Sequence, residues 1–491
     1  MAYEAAVFAR ILLTSLLALS LGCAAPAGDA SAAAAQRSRT VERPTAAVDA
    51  LLDDVQHRTF LWFWETANPE NGLVPDRWPA LTFSSIAAVG FGLTAYPVGV
   101  ERGWITRDQA RERVLRTLEF FANAPQGPQP RGVTGYNGFF YHFLDMETGE
   151  RFQTVELSSI DTTLFIAGAL FCQSYFDADH PDEARIREIA EKLYREIDWT
   201  FLQVRPPRVS MGWHPESGFI EADWRGLNEA SILYILALAS PTHAVGPEAW
   251  DAWTSTYRWR EFYGYEHLNF APLFGHQYSH VWIDFRGIQD DYLRGKGIDL
   301  FENSRRATLA QQAYAIDNPA GWRGYDERIW GLTACDGPGD GTAVIDGRTR
   351  RFYGYMARGA AATEIRDDGT IAPTAAIGSL PFAPEIVIPT IVAMRERYGA
   401  NLYQQYGFLD SFNPTLRAAP GFPIEHGTID PRLGWTNPDD LGIDQGPIVL
   451  MIENYRSGLI WDVMKKNPHI VRGLRRAGFS GGWLSSTDFT E

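Results

Sequence analysis

Ser159-Ile-Asp161-Thr-Thr-Leu-Phe-Ile-Ala-Gly-Ala-Leu170 and Leu227-Asn-Glu229-Ala-Ser-Ile-Leu-Tyr-Ile-Leu-Ala-Leu238 read as two copies of one unit. In each, a hairpin precedes an apolar helix and an acid stands at the helix start. Ile443-Asp444-Gln-Gly-Pro-Ile-Val-Leu450 repeats the idea a third time. Repetition of one supersecondary unit points to a closed array. Outward from these stretches, helical periodicity marks 48–66, 84–95, 106–123, 159–175, 181–202, 227–239, 248–256, 302–316, 327–333, 384–398, 445–455 and 459–465. Thr106 opens its helix with acids in the first two turns, a capping arrangement. Strand-like pieces are short and paired. Residues 138–145 and 150–154 flank a turn ending at Gly149, and 209–214 and 218–222 flank Pro-Glu-Ser-Gly218. A third irregular piece covers 348–373. No strands alternate with helices, so a parallel α/β sheet is not expected. The pattern predicts an all-α fold, an (α/α)6 barrel or double helical toroid, with short β-hairpins in the loops at one end. Loops at that end of the inner helices would line a cleft, and Asp161, Glu229 and Asp444 would converge there.

The bulk numbers bound what such a cleft can take. The chain has 491 residues, 45% apolar and 21% charged, enough for a substantial core. Its formal net charge of -16 argues against nucleic acid, whose binding needs Lys and Arg on phosphates, and against strongly anionic polymers. Aromatics reach 13%, with 16 Trp; core packing absorbs many, and extended sugars need such flat faces with a polar tip.

The start of the chain reads as an export signal. Arg10 precedes an apolar run, 11–22, too short for a standard membrane span. Leu-Ser-Leu-Gly-Cys23 fits either lipoprotein processing, with a lipid on Cys23, or plain secretion. Residues 1–23 are expected to be the signal, 24–50 an Ala/Pro-rich tether, and 51–480 the folded domain. A periplasmic or outer-membrane lipoprotein, or a secreted protein, follows, and a monomer is expected. Cys172, in an apolar helix, is expected to be a buried free thiol not bridged to Cys335.

Paired carboxylates are the chemistry this pattern offers. Glycosidic cleavage needs one acid to protonate the leaving oxygen and one carboxylate to activate water or attack the sugar. The candidates are Glu156, Asp161, Glu229 and Asp444. Acids at helix starts are also favoured simply because N–H groups and the macrodipole stabilise the anion. That same field lowers a pKa and suits a base, so the donor must be crowded by apolar or like-charged neighbours. Glu229, which follows Trp224 and Leu227, is read as the acid, with Asp161 or Glu156 as partner. Trp213, His214, Trp224, Arg225, His276, Gln277, His280 and Trp282 are the expected sugar contacts. His276 and His280 stand four apart, but their aromatic neighbours and the lack of an HExxH pattern argue against a metal; neither metal nor cofactor is expected. The Gly-rich run 336–342 lacks the Lys of a phosphate loop, and no G-x-S-x-G elbow occurs.

Several stretches, taken in order, resemble one family. They are Asn71-Gly-Leu-Val-Pro-Asp-Arg-Trp78, Ser84-Ser-Ile-Ala-Ala-Val-Gly-Phe-Gly-Leu93, Glu156-Leu-Ser-Ser-Ile-Asp-Thr162 and Asp223-Trp-Arg-Gly-Leu-Asn-Glu-Ala230. Phe274-Gly-His-Gln-Tyr-Ser-His280, Asp368-Gly-Thr-Ile-Ala-Pro373, Ser379-Leu-Pro-Phe-Ala-Pro-Glu385 and Gly442-Ile-Asp-Gln-Gly-Pro447 follow. The chain resembles the bacterial glycoamylase-like family that contains endo-β-1,2-glucanases, glycoside hydrolase family 144. The resemblance implies an (α/α)6 barrel, a metal-independent carboxylate mechanism and a β-1,2-glucan substrate. It supports Asp161 and Glu229 as essential acids and adds Glu385, Asp444 and Gln445 to the substrate-binding set. Leu227 departs from the aromatic expected before the Asn-Glu pair, which bears on subsite contacts and chain-length preference. Three readings follow: an endo-β-1,2-glucanase releasing sophoro-oligosaccharides; a transglycosylase, as in the related domain of cyclic β-1,2-glucan synthases, or an exo-acting disaccharide-releasing enzyme; and a non-catalytic glucan-binding surface lipoprotein.

Overall fold

Six of the described helices are buried along nearly their whole length and form an inner set, with nine others standing around them. The structure, a computed structural model, describes residues 45–81 and 83–486. The inner helices are α2 (Ile86–Glu101), α4 (Ser159–Tyr175), α6 (Ser231–Ala239), α8 (Tyr278–Trp282), α11 (Pro373–Ile377) and α13 (Gly442–Arg456). All are buried along nearly their whole length. Before, between and after them in the chain run α1 (Ala46–Thr66), α3 (Arg107–Asn123), α5 (Pro181–Glu196), α7 (Glu248–Thr254), α9 (Asp291–Lys296), α10 (Leu300–Asp317), α12 (Pro384–Tyr398), α14 (Leu459–Met464) and α15 (Pro468–Arg476). Outer helix α5 shows the rule: Ile186, Ile189, Ala190 and Leu193 face inward, while Arg185, Glu188 and Lys192 stay in water. The result is the double helical toroid, with sheet made of short strands, mostly in pairs and at most five together. Among the described residues no helix is long and apolar enough to cross a membrane.

The tightest inner contact is α2 against α4. A Cβ added at Gly168 would stand 2.2 Å from the Gly90 carbonyl oxygen, and one at Gly90 would stand 2.2 Å from that of Leu164. The two glycines let the backbones touch. α6 joins α8 through the Ile232 N–H on Ser279 Oγ at 3.1 Å. α8 joins α11 through Gln277 Nε2 on the Ala375 carbonyl at 2.8 Å. α11 joins α13 through Thr374 Oγ1 on the Asp444 carbonyl at 2.9 Å. The ring closes where Arg77–Trp78 pairs antiparallel with Asp440–Leu441. Behind that seam, Glu453 of α13 accepts from Gln56 at 2.8 Å and from Arg102 at 2.7 Å.

A five-stranded sheet lies at the end where the inner helices begin. Its strands are β1 (Gly135–Tyr136), β2 (Phe139–Tyr141), β3 (Leu157–Ser158), β4 (Gly212–His214) and β5 (Gly218–Phe219), in that spatial order and all antiparallel. The hairpin expected over 209–222 is therefore present. The piece expected over 138–154 is divided: Phe139–Tyr141 pairs with β1 and β3, whereas Phe143–Asp145 pairs with Phe83–Ser85.

Four expectations need correction. Residues 327–333 are not helical, because Asp326 Oδ1 takes the N–H groups of Arg328 and Ile329 in a local turn and Gly331 sits at φ 131°. The stretch 181–202 breaks after Glu196, and Asp198 caps a separate 3-10 turn, Trp199–Leu202. α8, α9, α11 and α15 carried no helical expectation. The end of the expected tether, 46–50, belongs to α1; the signal, Cys23 and the rest of the tether lie outside the described residues. Cys172 and Cys335 are buried and free, with the Cys172 thiol donating to the Leu93 carbonyl at 3.1 Å.

Candidate active site

Sheet and helices together bring the predicted acids to one place. β3 runs directly into α4, whose N-cap is Ser158; its Oγ accepts from the Asp161 N–H at 3.1 Å and contacts the Asp161 carboxylate. Trp224 Nε1 donates to Ser159 Oγ at 2.8 Å, fixing the same helix start from the neighbouring loop. Glu229 sits in the turn before α6, and its carbonyl accepts from Ser279 Oγ of α8 at 2.8 Å. Asp444 lies in the first turn of α13. The Tyr278 hydroxyl, at the start of α8, donates to the Ile443 carbonyl at 3.4 Å, next to Asp444 in the chain, and burial, with the charges of Asp444, Glu229 and Asp161 adding, pushes it up.

His142 is the centre of the first acidic group. Its N–H donates to the Glu156 carbonyl at 2.9 Å, and its carbonyl accepts from the Ile86 N–H that opens α2. The ring is placed by this backbone: Nδ1 lies 2.8 Å from Glu156 Oε1 and Nε2 lies 3.6 Å from Asp161 Oδ1. Burial disfavours the charged ring, but Asp161 and Glu156 outweigh it and raise His142 to about 9. Glu156 is held below its ordinary value: burial opposes this, and the His142 charge prevails. Asp161 is raised, because burial outweighs His142 and Ser158. Among the described residues these three are the set whose donor atoms converge as metal ligands would, all within 4.8 Å. A cation there would have to replace the hydrogen bond between His142 Nδ1 and Glu156.

Glu229 is different in kind. Its Oε2 is sealed and has no hydrogen-bond partner, while part of the residue stays open. Burial pushes it up to about 7, against its own backbone N–H, and the Asp161 charge adds to the push. It is a carboxyl group whose proton is held up to near neutrality by burial, with Asp161 adding to the effect.

A second acidic group faces the first. Asp410 Oδ2 accepts from the Asp336 N–H at 3.0 Å, Ser411 Oγ at 2.9 Å and Asn437 Nδ2 at 3.0 Å. Its carboxyl group meets that of Asp444, and burial raises both. Two buried carboxylates in contact cannot both ionise, so they share a proton. Arg77 stands among Asp336 at 3.0 Å, Asp76 at 3.3 Å and Asp439 at 3.3 Å. Burial pushes the Tyr355 hydroxyl up, with the nearby carboxylates adding, and its loop is anchored by Arg358, which pairs with Asp368 at 2.8 Å in complete burial.

The expected sugar contacts divide. Trp213 and His214 lie on β4 and are partly open, with Trp213 beside Tyr136 and Phe201. Trp224 is buried against α4, and Arg225 is exposed 3.5 Å from Asp223. Four others are wall rather than lining. Gln277 ties α8 to α11. His280 is enclosed by Phe285 and Phe382 and hydrogen-bonds Ser304. Trp282 stacks on Phe91 and donates to Thr94. His276 is buried on the Phe270 carbonyl, and burial lowers it to about 3. Gln445 braces the Phe408 carbonyl and Asp440. Glu385 lies in the first turn of an outer helix and pairs with Arg305. His142, Arg77, Asp336, Asp410 and Tyr355 carried no expectation. His142 falls between hairpin strands in sequence, and Asp410 lies in a loop without periodicity, so only pairing across the fold reveals them.

With this geometry in view, the chain can be set beside known proteins. Residues 221–468 match the Glycoamylase family model, described as "Putative glucoamylase". A solved Bacteroides uniformis protein, also described as a "putative glucoamylase", is 34% identical, with TM-score 0.76, covering 90% of this chain and all of that one. The chain belongs to the Glycoamylase family. Another structure similar to this Glycoamylase member is the endo-β-1,2-glucanase of Chitinophaga pinensis in complex with sophorotriose and glucose. It is 27% identical, with TM-score 0.75, covering 89% of this chain and all of that one. A curated relative from Parabacteroides distasonis, named exo β-1,2-glucooligosaccharide sophorohydrolase (non-reducing end), is 28% identical over 464 residues. That match takes in 87% of this chain but 57% of the relative, so the chain spans little more than half the length of that protein.

Proposed function

We propose that the protein is a glycoside hydrolase that cleaves β-1,2-linked glucan, acting within the chain and releasing sophoro-oligosaccharides. The observation that carries this reading is Glu229, a carboxyl group raised to about 7 beside Asp161 at the convergence of inner-helix starts. In the reaction Glu229 gives its proton to the glycosidic oxygen as the carbon–oxygen bond breaks. Asp161 takes a proton from water, whose oxygen bonds to the anomeric carbon. A raised Asp161 is a stronger base once ionised. The names of the Chitinophaga and Parabacteroides relatives supply the linkage.

Incubation of the purified protein with linear β-1,2-glucan tests this. The polymer is expected to shorten early, with a ladder of short products. Release of sophorose alone from intact polymer would replace endo with exo action, the mode in the name of the Parabacteroides relative. Cleavage of a different glucan only would overturn the linkage. Growth of longer chains from short donors would indicate transfer. Binding without turnover would leave a glucan-binding protein. Export is part of the same proposal, resting on Arg10, the apolar run 11–22 and Cys23. Labelling with a radioactive fatty acid that is lost in Cys23→Ser would separate a lipid anchor from plain secretion.

A further inference from the structure

We propose that His142 is a positioning residue whose ring carries the positive charge that keeps Asp161 a carboxylate opposite Glu229. This rests on the reading of Glu229 and Asp161 as the working acids. Nothing in the chain pattern singles out His142, yet three parts of the toroid meet on it. Its carbonyl takes the N–H of Ile86 at the start of α2, its N–H is paired with Glu156, and its ring reaches toward Asp161 on α4. The imidazole is oriented on both sides: Nδ1 on Glu156 at 2.8 Å and Nε2 toward Asp161 at 3.6 Å. The Glu156 contact is a hydrogen bond and the Asp161 contact, at 3.6 Å, a through-space ion-pair distance, so two buried carboxylates flank the ring on opposite sides and favour its charged form.

The charged groups facing the ring are Glu156, Asp161 and, more distantly, Asp76. Asp161 in turn faces Glu229, and Glu156 also feels His214. A cation here therefore favours ionised Asp161, while Asp161 in turn favours protonated Glu229. One fixed charge thus sorts two neighbouring carboxyl groups into base and acid. Ser158 completes the hold on Asp161 without supplying charge.

The test begins with a measurement that needs no substrate. In 15N-histidine-labelled protein, the resonances lost on His142→Gln identify this ring. They are expected at imidazolium shifts through pH 8, with loss of a proton near pH 9. A neutral tautomer at pH 7 overturns the proposal whatever the enzyme cleaves. The second measurement is the pH profile of kcat/KM for His142→Gln, which keeps polar contacts and drops the charge. The acidic limb is expected to move to higher pH, with kcat falling more than KM changes. Each unit of upward movement removes about tenfold in kcat/KM on the acid side. A wild-type profile in His142→Gln overturns the proposal as well. Should that variant fail to fold, His142→Asn serves both measurements, and the wild-type shifts still report the charge. Failure of β-1,2-glucan cleavage with a charged His142 would count against the functional reading alone.

Discussion

Single residues decide the chemistry here, and Glu229 can be followed through both activity and stability. As the proton donor it must be protonated, so kcat/KM is expected to fall as pH rises through about 7. Glu229→Gln is expected to lose about 10²–10⁴ in turnover while sugar binding, followed by calorimetry, persists. Asp161→Asn should behave the same way in the calorimeter. The stability effect has the opposite sense. Glu229 rises from 4.5 to about 7 on folding, so its favourable contribution is whole below 4.5 and is lost as pH climbs through about 7. The Gln variant never carries the buried charge. It should melt higher than wild type at pH 8 and equally at pH 4; an equal melting temperature at pH 8 would contradict the sealed Oε2. Asp161 and Glu229 were legible from the chain because each follows a hairpin and opens an apolar helix. His142 and Asp410 were not, because their partners are set by contacts between loops. His280 and Trp282 misled in the other direction: a cluster of rings and donors looks the same in sequence whether it faces a sugar or Phe382 and Thr94.

At the scale of elements, the α2–α4 crossing is the most demanding joint. Gly168→Ala places a methyl group 2.2 Å from the Gly90 carbonyl, so the helices must separate. The expected cost is about 1–3 kcal/mol, read as a lower urea midpoint. An unchanged midpoint would show that the joint has slack. The loop that carries Tyr355 depends on a different device. Arg358→Met would leave Asp368 buried without its partner, at a cost of about 3–5 kcal/mol in the same unfolding measurement. Length explains which elements were legible. α4 and α5 run 17 and 16 residues, and their periodicity is plain. Inner helices α8 and α11 have five residues each, less than two turns, and no periodic signal fits in so short a span. They are helical because the ring surrounds them, which local sequence does not record.

The whole molecule is a ring whose halves are far apart in sequence. Gln56 and Glu453, bonded across the closing seam, are 397 positions apart. Arg77–Trp78 lies against Asp440–Leu441, and Asp444 enters the site three residues later. This arrangement bears on how the protein is made. While a ribosome is still reading toward residue 440, the earlier helices have no last neighbour, and a flank of apolar surface stays wet. A nascent chain halted anywhere before α13 lacks both the seam and one of the carboxylates, so shortened products have no partial ring to work with. The cluster of acids is therefore complete only when the closing segment has docked.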